Sequence, residues 1–133
     1  MNDSELAKLA NSYAQAWSSQ DPESLAGFYS ENGVLKINSG DPSVGRNEIS
    51  RTAKSFMEAF PDMVVEMDSI SREGERIIFR WTWTGTNTGP GGNGKSVNIS
   101  GFESWKIGED KLILESLGNY DEAEYERQMN SVS

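Results

Sequence analysis

Few residues in this sequence could move protons. It contains no histidine and no cysteine among its 133 residues, which removes the commonest general base and the thiolate nucleophile. Acid–base chemistry must therefore use carboxylates, with tyrosine hydroxyls as possible hydrogen-bond donors. Three positions suit that chemistry, and they are Tyr13, Glu103 and Asp121.

Asp121 follows a predicted strand in the stretch LGNYD and precedes a helical run, EAEYERQMN. It is a good N-cap for that helix, with Glu124 at the capping-box position. Alternatively, regular strand alternation would place Leu117, Asn119 and Asp121 on one face. If that face is the inner one, Asp121 would act as an acid or a base at the mouth of a pocket. Local sequence leaves both interpretations open, and one residue could serve both.

Glu103 lies between Gly101 and Trp105 in another predicted strand, and alternation places all three side chains on one face. An acidic side chain there faces either outward, to solvent or a second subunit, or inward. The inward position is costly unless the carboxyl is protonated or paired. Tyr13 lies on the apolar face of the first predicted helix, where it is either a core residue or a donor into a pocket.

Charge and composition exclude several classes of partner. With 12 basic and 21 acidic residues, the net charge is −9, which disfavours nucleic acid and anionic membranes. The lack of His and Cys argues against transition-metal sites, and the loop NSGDPSVG lacks the spaced acidic ligands of a calcium site. We therefore predict no metal and no cofactor. No apolar segment is long enough to span a bilayer, and we predict a cytoplasmic protein.

Hydrophobic periodicity predicts three helices in the first half of the chain. The first covers residues 4–18, with apolar residues at three- and four-residue steps. The second begins after Asp21, a good N-cap followed by Pro22. The third covers residues 46–59 and ends before Pro61, since proline cannot continue a helix. A strand, NGVLKIN, and a loop, SGDPSVG, are predicted between the second and third helices.

The second half of the chain has the composition and two-residue period of strands. Tight turns at REGER and IGEDK predict antiparallel hairpins. Helices followed by a meander of strands indicate one α+β domain over residues 1–133, with helices on one face of a bent antiparallel sheet. Phe79, Trp81 and Trp83 share a strand face. They form either plain core or the wall of an apolar pocket.

Three segments together resemble the SnoaL-like polyketide cyclases, within the nuclear-transport-factor-2-like and ketosteroid-isomerase-like superfamily. These segments are YAQAWSSQDPESLAGFYSENGVL, GRNEISRTAKSFMEAFPD and TGTNTGPGGNGKSVNISGFESWKIGEDKLILESLGNYD. The resemblance implies a cystatin-like cone, in which a strongly curved antiparallel sheet wraps around the N-terminal helices and encloses a deep pocket. It also implies a homodimer packed through the sheet.

The resemblance further implies roles for single residues. LGNYD matches the stretch that carries the family's general acid/base, so Asp121 inherits that role in a cofactor-free aldol ring closure. Tyr13 and Glu103 match the two hydrogen-bond donors of the ketosteroid isomerases, whereas Ile37 stands at the position of their catalytic base. Two positions where the family often has histidine hold Asn87 and Ser116 here.

We therefore predict a cofactor-independent enzyme of cyclase or isomerase type that acts on a small apolar carbonyl compound. Its predicted catalytic residues are Asp121, Glu103 and Tyr13. Its predicted substrate-binding residues are Trp17, Phe56, Phe60, Trp81, Trp83, Trp105, Asn87 and Asn119. Two alternatives remain, a non-catalytic protein that binds a small hydrophobic ligand and a dimerising interaction module.

Overall fold

The computed structural model describes residues 1–130, which form four helices and a six-stranded sheet. The helices are α1 (Asp3–Ser18), α2 (Pro22–Ala26), α3 (Arg46–Ala59) and α4 (Glu122–Met129). The strands are β1 (Tyr29–Ile37), β2 (Ser43–Val44), β3 (Val64–Glu73), β4 (Arg76–Thr86), β5 (Ser96–Ile107) and β6 (Ile113–Tyr120). The predicted α+β class is confirmed. Within these residues, no helix has both the length and the apolar character needed to pass through a bilayer.

The N-terminal ends of α1 and α2 are fixed by side-chain caps. Asn2 and Glu5 form a capping box at α1, since each side chain accepts a hydrogen bond from the other residue's backbone N–H. Asp21 caps α2 as predicted, accepting from the backbone N–H groups of Glu23 and Ser24. These caps satisfy backbone donors that have no partner inside the helix. They therefore set where each helix begins.

The six strands lie side by side in the order β2-β1-β6-β5-β4-β3. The hairpins β3–β4 and β5–β6 are antiparallel, as their tight turns predict. The prediction of a wholly antiparallel sheet is wrong at one place, because β1 runs parallel to β6. The chain passes through α3 and three other long strands between them, so no tight turn forces the two to be antiparallel. The segment predicted as a loop after β1 contains β2, which pairs with Val34 and Leu35.

Irregular pairing bends the sheet. The register shifts between Met67 and Ser69 in β3, and between Lys106 and Ile107 in β5. Such bulges add twist and let a sheet curl around what it covers. Helix α1 packs against β3 and α3 against β1, and the aromatic residues of β4 lie in the core that the helices share with the sheet.

Candidate active site

The Glu103 carboxyl lies inside the fold and is held by three donors. Its Oε1 accepts hydrogen bonds from the Tyr13 hydroxyl at 2.7 Å, the Ser116 hydroxyl at 2.6 Å and the Trp105 indole Nε1 at 3.0 Å. Only 6% of the Glu103 surface is exposed. Of the two orientations that the sequence left open, the structure has the inward one. The expected cost of burial is offset by these three bonds.

Strand register brings these groups together. In the pairing of β5 with β6, Glu103 lies opposite Gly118, and Trp105 lies opposite Ser116. Side chains two residues apart on a strand point the same way, so Glu103, Trp105 and Ser116 share the inner face. Tyr13 extends from α1, which packs over that face, and reaches the Glu103 carboxyl.

Aromatic packing fixes the orientation of the donors. The Trp105 ring stacks on Phe79 with centroids 5.0 Å apart and planes at 16°. The Tyr13 ring meets Trp105 and Phe79 edge to face, at 5.0 Å and 5.4 Å. Phe79, Trp105 and Tyr13 are fully buried. Edge-to-face and offset contacts of this kind are favourable beyond their buried area, and they leave the donors little freedom to turn away from Glu103.

A second tyrosine extends the network. The hydroxyls of Tyr13 and Tyr29 are 2.7 Å apart. Tyr13 has one hydroxyl hydrogen and donates it to Glu103, so Tyr29 must be the donor to Tyr13. The sequence prediction missed both Tyr29 and Ser116 as site residues. Strand alternation in β6 together with the inward choice for Glu103 could have found Ser116, whereas nothing local distinguishes Tyr29 from a core tyrosine.

Burial governs the ionisation of this network. Removal from water raises the pKa of the Glu103 carboxyl above its ordinary 4.5, and the hydrogen bonds from Ser116, Trp105 and Tyr13 oppose that rise. Burial also raises the pKa of Tyr13 and Tyr29 well above the usual range, and the negative charge of Glu103 adds to both. The tyrosines therefore keep their protons and act as donors, while the carboxyl is the group that titrates.

The two oxygens of Glu103 are not equivalent. Oε1 accepts all three of the hydrogen bonds described above, and no group within residues 1–130 donates to Oε2. A carboxylate oxygen that already accepts three hydrogen bonds has little capacity left for a proton. When the carboxyl takes up a proton, we therefore assign it to Oε2.

Glu103 also lines a partly open cavity beside this network. The cavity offers about 60 Å³ of room for the centres of water-sized molecules, and its wall is otherwise almost wholly apolar. The residues that line it are Trp17, Leu35, Ile37, Phe56, Met63, Val65, Trp81, Trp83, Glu103, Gly118, Asn119 and Tyr120. An apolar cavity with one convergent polar group is typical of a small-molecule site.

Five of the eight predicted substrate-binding residues line this cavity, namely Trp17, Phe56, Trp81, Trp83 and Asn119. Trp105 does not, because it is fully buried behind Glu103 and serves as its donor. Phe60 is also in the core, with its ring edge to face on Trp83 at 4.9 Å. Asn87 lies at the far end of β4, where its side chain contacts the sulfur of Met129.

The placement predicted for Asp121 is wrong. Its side chain is exposed, does not line the cavity and accepts a hydrogen bond from the Glu124 backbone N–H at 3.2 Å, as the N-cap of α4. The reason is the register of β6, which places Tyr120 opposite Gly101 and Gly118 opposite Glu103. Ser116, Gly118 and Tyr120 therefore form the inner face, rather than Leu117, Asn119 and Asp121. Asn119 reaches the edge of the cavity but is itself exposed.

Within residues 1–130, no three carboxylate side chains come together in a way that could hold a metal ion. Among the described residues, Glu103 is the one carboxylate that lines the cavity. Hard cations prefer several oxygen ligands, so these residues do not fit a metal, and the absence of a metal stays a prediction.

Comparison with protein families and solved structures places the fold. The model of the SnoaL-like polyketide cyclases matches residues 7–129. The chain belongs to the SnoaL-like polyketide cyclase family. Among curated protein sequences, no significant match was found.

Several solved structures resemble this family member. One is a protein with a ketosteroid isomerase-like fold from Catenulispora acidiphila, in complex with trimethylamine, at 15% identity and TM-score 0.80, with 92% of each chain covered. Another, assigned as a SnoaL-like polyketide cyclase, comes from a Jannaschia species, at 13% identity and TM-score 0.82, covering 98% of this chain and 94% of that one. A third is AclR from Streptomyces galilaeus, assigned as a hydroxylase, at 19% identity and TM-score 0.78, covering 98% and 84%. At these identities the likeness shows a shared cone fold.

Proposed function

We propose that this protein is a cofactor-independent acid–base enzyme of cyclase or isomerase type, and that Glu103 is its proton-transfer group. The observation that carries the proposal is the asymmetry of the Glu103 carboxyl. One oxygen is fixed by Tyr13, Ser116 and Trp105, and the other is left free on a carboxyl that lines the cavity. A rigidly held base in a dry site is the arrangement that proton abstraction from carbon needs.

The chemistry balances without an added reagent. Ionised Glu103 removes a proton from the carbon next to a carbonyl group, and the electrons of that C–H bond pass into the carbonyl to give an enolate. In an isomerisation, Oε2 returns the proton to a different carbon. In a ring closure, the enolate carbon attacks a second carbonyl of the same molecule, and Oε2 gives the proton to the new alkoxide oxygen.

A raised pKa of the Glu103 carboxyl suits a group that must first accept a proton and then return it. A carboxyl that titrates nearer to neutral pH is a stronger base when ionised and still releases its proton afterwards. The desolvation that raises the pKa of Glu103 thus serves the reaction. General acid–base catalysis of this type typically contributes about 10²–10⁴-fold.

The proposal differs from the family resemblance in three roles. Glu103 matches a hydrogen-bond donor of the ketosteroid isomerases but is the base in this proposal. Tyr13 gives its hydrogen to Glu103, so its role in this proposal is to position the carboxyl. Asp121 caps α4 outside the cavity and has no step in the proposed reaction.

The substrate fits the cavity only if it is small or enters by one end. The volume of about 60 Å³ is less than half that of a cavity known to hold benzene, roughly 150 Å³. Part of a ring would therefore lie in the partly open mouth, and a longer molecule would extend into solvent. The apolar wall favours a substrate whose buried portion is hydrocarbon apart from its carbonyl. We propose a small apolar ketone, or the ketone end of a polyketide-like chain, as the substrate class.

Hydrogen–deuterium exchange tests the proposal without knowledge of the natural substrate. Small cyclic ketones are incubated with the protein in D₂O, and loss of the α-proton signal is followed by NMR. We expect protein-dependent exchange that falls by about 10²–10⁴-fold in Glu103→Gln and persists in Glu66→Gln, an exposed glutamate on β3. Equal exchange rates in wild type and Glu103→Gln would contradict the proposal.

A non-catalytic ligand-binding protein is the second candidate. It is favoured by the nearly complete apolar lining of the cavity and by Asn87 and Ser116 at the family's histidine positions. The same experiment separates the two. A ketone that binds to the cavity, as seen from shifted backbone signals of Ile37 and Gly118, without any enhanced exchange would identify a binding protein.

We also propose a homodimer through the outer face of the sheet. That face carries Phe102, which is 37% exposed and lies opposite Arg80 in the β4–β5 pairing. A sheet with helices on one side commonly covers its other side with a partner. Sedimentation should show a dimer that Phe102→Glu dissociates, and a wild-type monomer of 14.7 kDa at micromolar concentration would refute this.

A further inference from the structure

Two tryptophans in the cavity wall have buried indole N–H groups without an acceptor. Trp81 and Trp83 both line the cavity, they are 9% and 4% exposed, and neither Nε1 has a hydrogen-bond partner. A buried donor left unpaired destabilises the fold, because it has lost its hydrogen bond to water without gaining another. Native proteins rarely leave such groups unpaired unless something absent from the chain itself completes them.

A third tryptophan on the same inner surface gives the contrast. The Trp105 indole, on β5, donates to Glu103 at 3.0 Å and does not line the cavity. The two cavity-lining indoles on β4 are the ones without an acceptor. Both rings thus line the cavity while their Nε1 atoms are themselves buried, so a ligand oxygen would reach these donors only with a small movement of the cavity wall.

Packing leaves these two rings little room to find another partner. Trp83 meets Phe60 edge to face at 4.9 Å and stacks on Tyr125 at 5.8 Å, with planes at 16°. The Trp81 ring occupies the space above Gly101, where a Cβ atom would come within 2.7 Å of its Cζ2. Gly101 is thus required for this position of the Trp81 ring.

The proposed reaction lacks a donor that these indoles could supply. An enolate needs hydrogen bonds to its oxygen, and Tyr13, which matches the donor of the ketosteroid isomerases, is committed to Glu103. An indole N–H is a donor only. It can therefore stabilise negative charge on oxygen without competing with Glu103 for the transferred proton.

We propose that Trp81 and Trp83 form the oxygen-recognition site of this cavity, donating indole N–H hydrogen bonds to a carbonyl oxygen of the ligand. The proposal rests on the proposed function for its catalytic meaning, but it concerns binding in its own right. It assigns the ligand class as a compound with an acceptor oxygen set in an apolar frame. Hydrocarbons of the same shape should bind more weakly, because they leave both donors unpaired.

The test compares cyclohexanone with methylenecyclohexane, which replaces the C=O group by C=CH₂ at nearly constant shape. Indole ¹H–¹⁵N signals of ¹⁵N-labelled protein are assigned with the variants Trp81→Phe and Trp83→Phe. We expect cyclohexanone to move the Hε1 signal of Trp81, Trp83 or both downfield and to leave that of Trp105 unchanged. Methylenecyclohexane should produce no such shift.

Affinities complete the test. We expect Trp81→Phe or Trp83→Phe to weaken cyclohexanone binding by about 3- to 10-fold, as for one neutral hydrogen bond, with little effect on methylenecyclohexane. Equal losses for both probes, equal indole shifts with both, or binding of neither at millimolar concentration would overturn the inference. The indole shifts are measured on the wild-type protein, and for this readout the variants are needed only to assign the signals.

The outcome is separable from that of the proposed function. Glu103→Gln should keep the ketone-induced indole shifts while losing α-proton exchange. Indole shifts without any exchange in the wild type would leave the oxygen-recognition site standing and refute the enzyme. Exchange without indole shifts would support the enzyme and refute the oxygen-recognition site.

Discussion

Glu103 lies in β5, and Asp121 directly follows β6, the strand paired with β5. The surroundings of the two carboxylates nevertheless differ in burial and in hydrogen bonding, the two properties that matter for proton transfer. Glu103 is 6% exposed and accepts three hydrogen bonds from side chains. Asp121 is exposed and accepts one from the backbone of its own helix. Glu103 is desolvated and lines a cavity, whereas Asp121 caps the N-terminal end of α4 in water.

Comparing the two carboxylates shows how a proton-transfer group can be recognised. Asp121 has the more suggestive neighbours in sequence, but a short motif at a strand–helix junction also suits an N-cap. Glu103 takes its properties from residues far along the chain, since Tyr13 is 90 positions away. Burial and non-local donors, rather than local sequence, give a carboxyl an unusual pKa.

The largest expected difference is between the losses of unfolding free energy in Glu103→Ala and in Asp121→Ala. Glu103→Ala leaves the buried hydroxyls of Tyr13 and Ser116 and the indole of Trp105 without their acceptor, at about 1–3 kcal/mol per group. We expect a loss of more than about 3 kcal/mol in the free energy of unfolding. Asp121→Ala removes only a cap and should lose about 1 kcal/mol. Urea unfolding measures both, and similar losses in the two variants would erase the distinction.

The pH dependence of stability reports on the burial of the Glu103 carboxyl. Folding raises the pKa of Glu103, so the folded state holds this proton more tightly than the unfolded chain. The resulting stability is fully present below the ordinary 4.5 and is lost as the pH rises through the folded value, at about 1.4 kcal/mol per unit of raised pKa.

Relative to Glu103→Gln, the wild type should therefore lose stability as the pH rises above 4.5 and then level off. Tyr13→Phe removes a donor that favours the charged form, so it should extend the loss to higher pH. Unfolding free energies measured across this range provide the check. A stability difference between wild type and Glu103→Gln that stays constant with pH would mean that Glu103 does not titrate as described.

The smallest effect is expected for Asp121→Asn. Asparagine caps helices about as well as aspartate, so stability should change by less than about 0.5 kcal/mol, and α-proton exchange should be unchanged. A large loss of exchange with stability intact would return the catalytic role to Asp121, in line with the family resemblance.

Much of the fold was predictable because its signals are local. The boundaries of α3, residues 46–59, follow from one apolar stripe and Pro61, and the structure has the same bounds. The parallel pairing of β1 with β6 was not predictable, because the two strands are joined by most of the chain and neither carries a turn signal toward the other.

The site was predictable only in part, because the contacts that define it join residues far apart in the sequence. Alternation within β4 correctly grouped Phe79, Trp81 and Trp83, which the structure has in the core. For Glu103, alternation could not decide between the inward and the outward face of β5. The structure decides it through the three donors, Tyr13, Ser116 and Trp105. For β6, the inner face depends on which residue of β5 lies opposite Tyr120, and a shift of one residue exchanges Asp121's neighbours between the faces.

The most direct test of the account is to compare two pH midpoints in one sample. The ¹³C signal of the Glu103 side-chain carboxyl gives its titration, and the rate of ketone α-proton exchange gives the titration of the catalytic base. We predict that the two midpoints coincide above 4.5 and move upward together in Tyr13→Phe. An exchange midpoint that differs from the Glu103 titration, or stays fixed when that titration moves, would show that another group takes the proton.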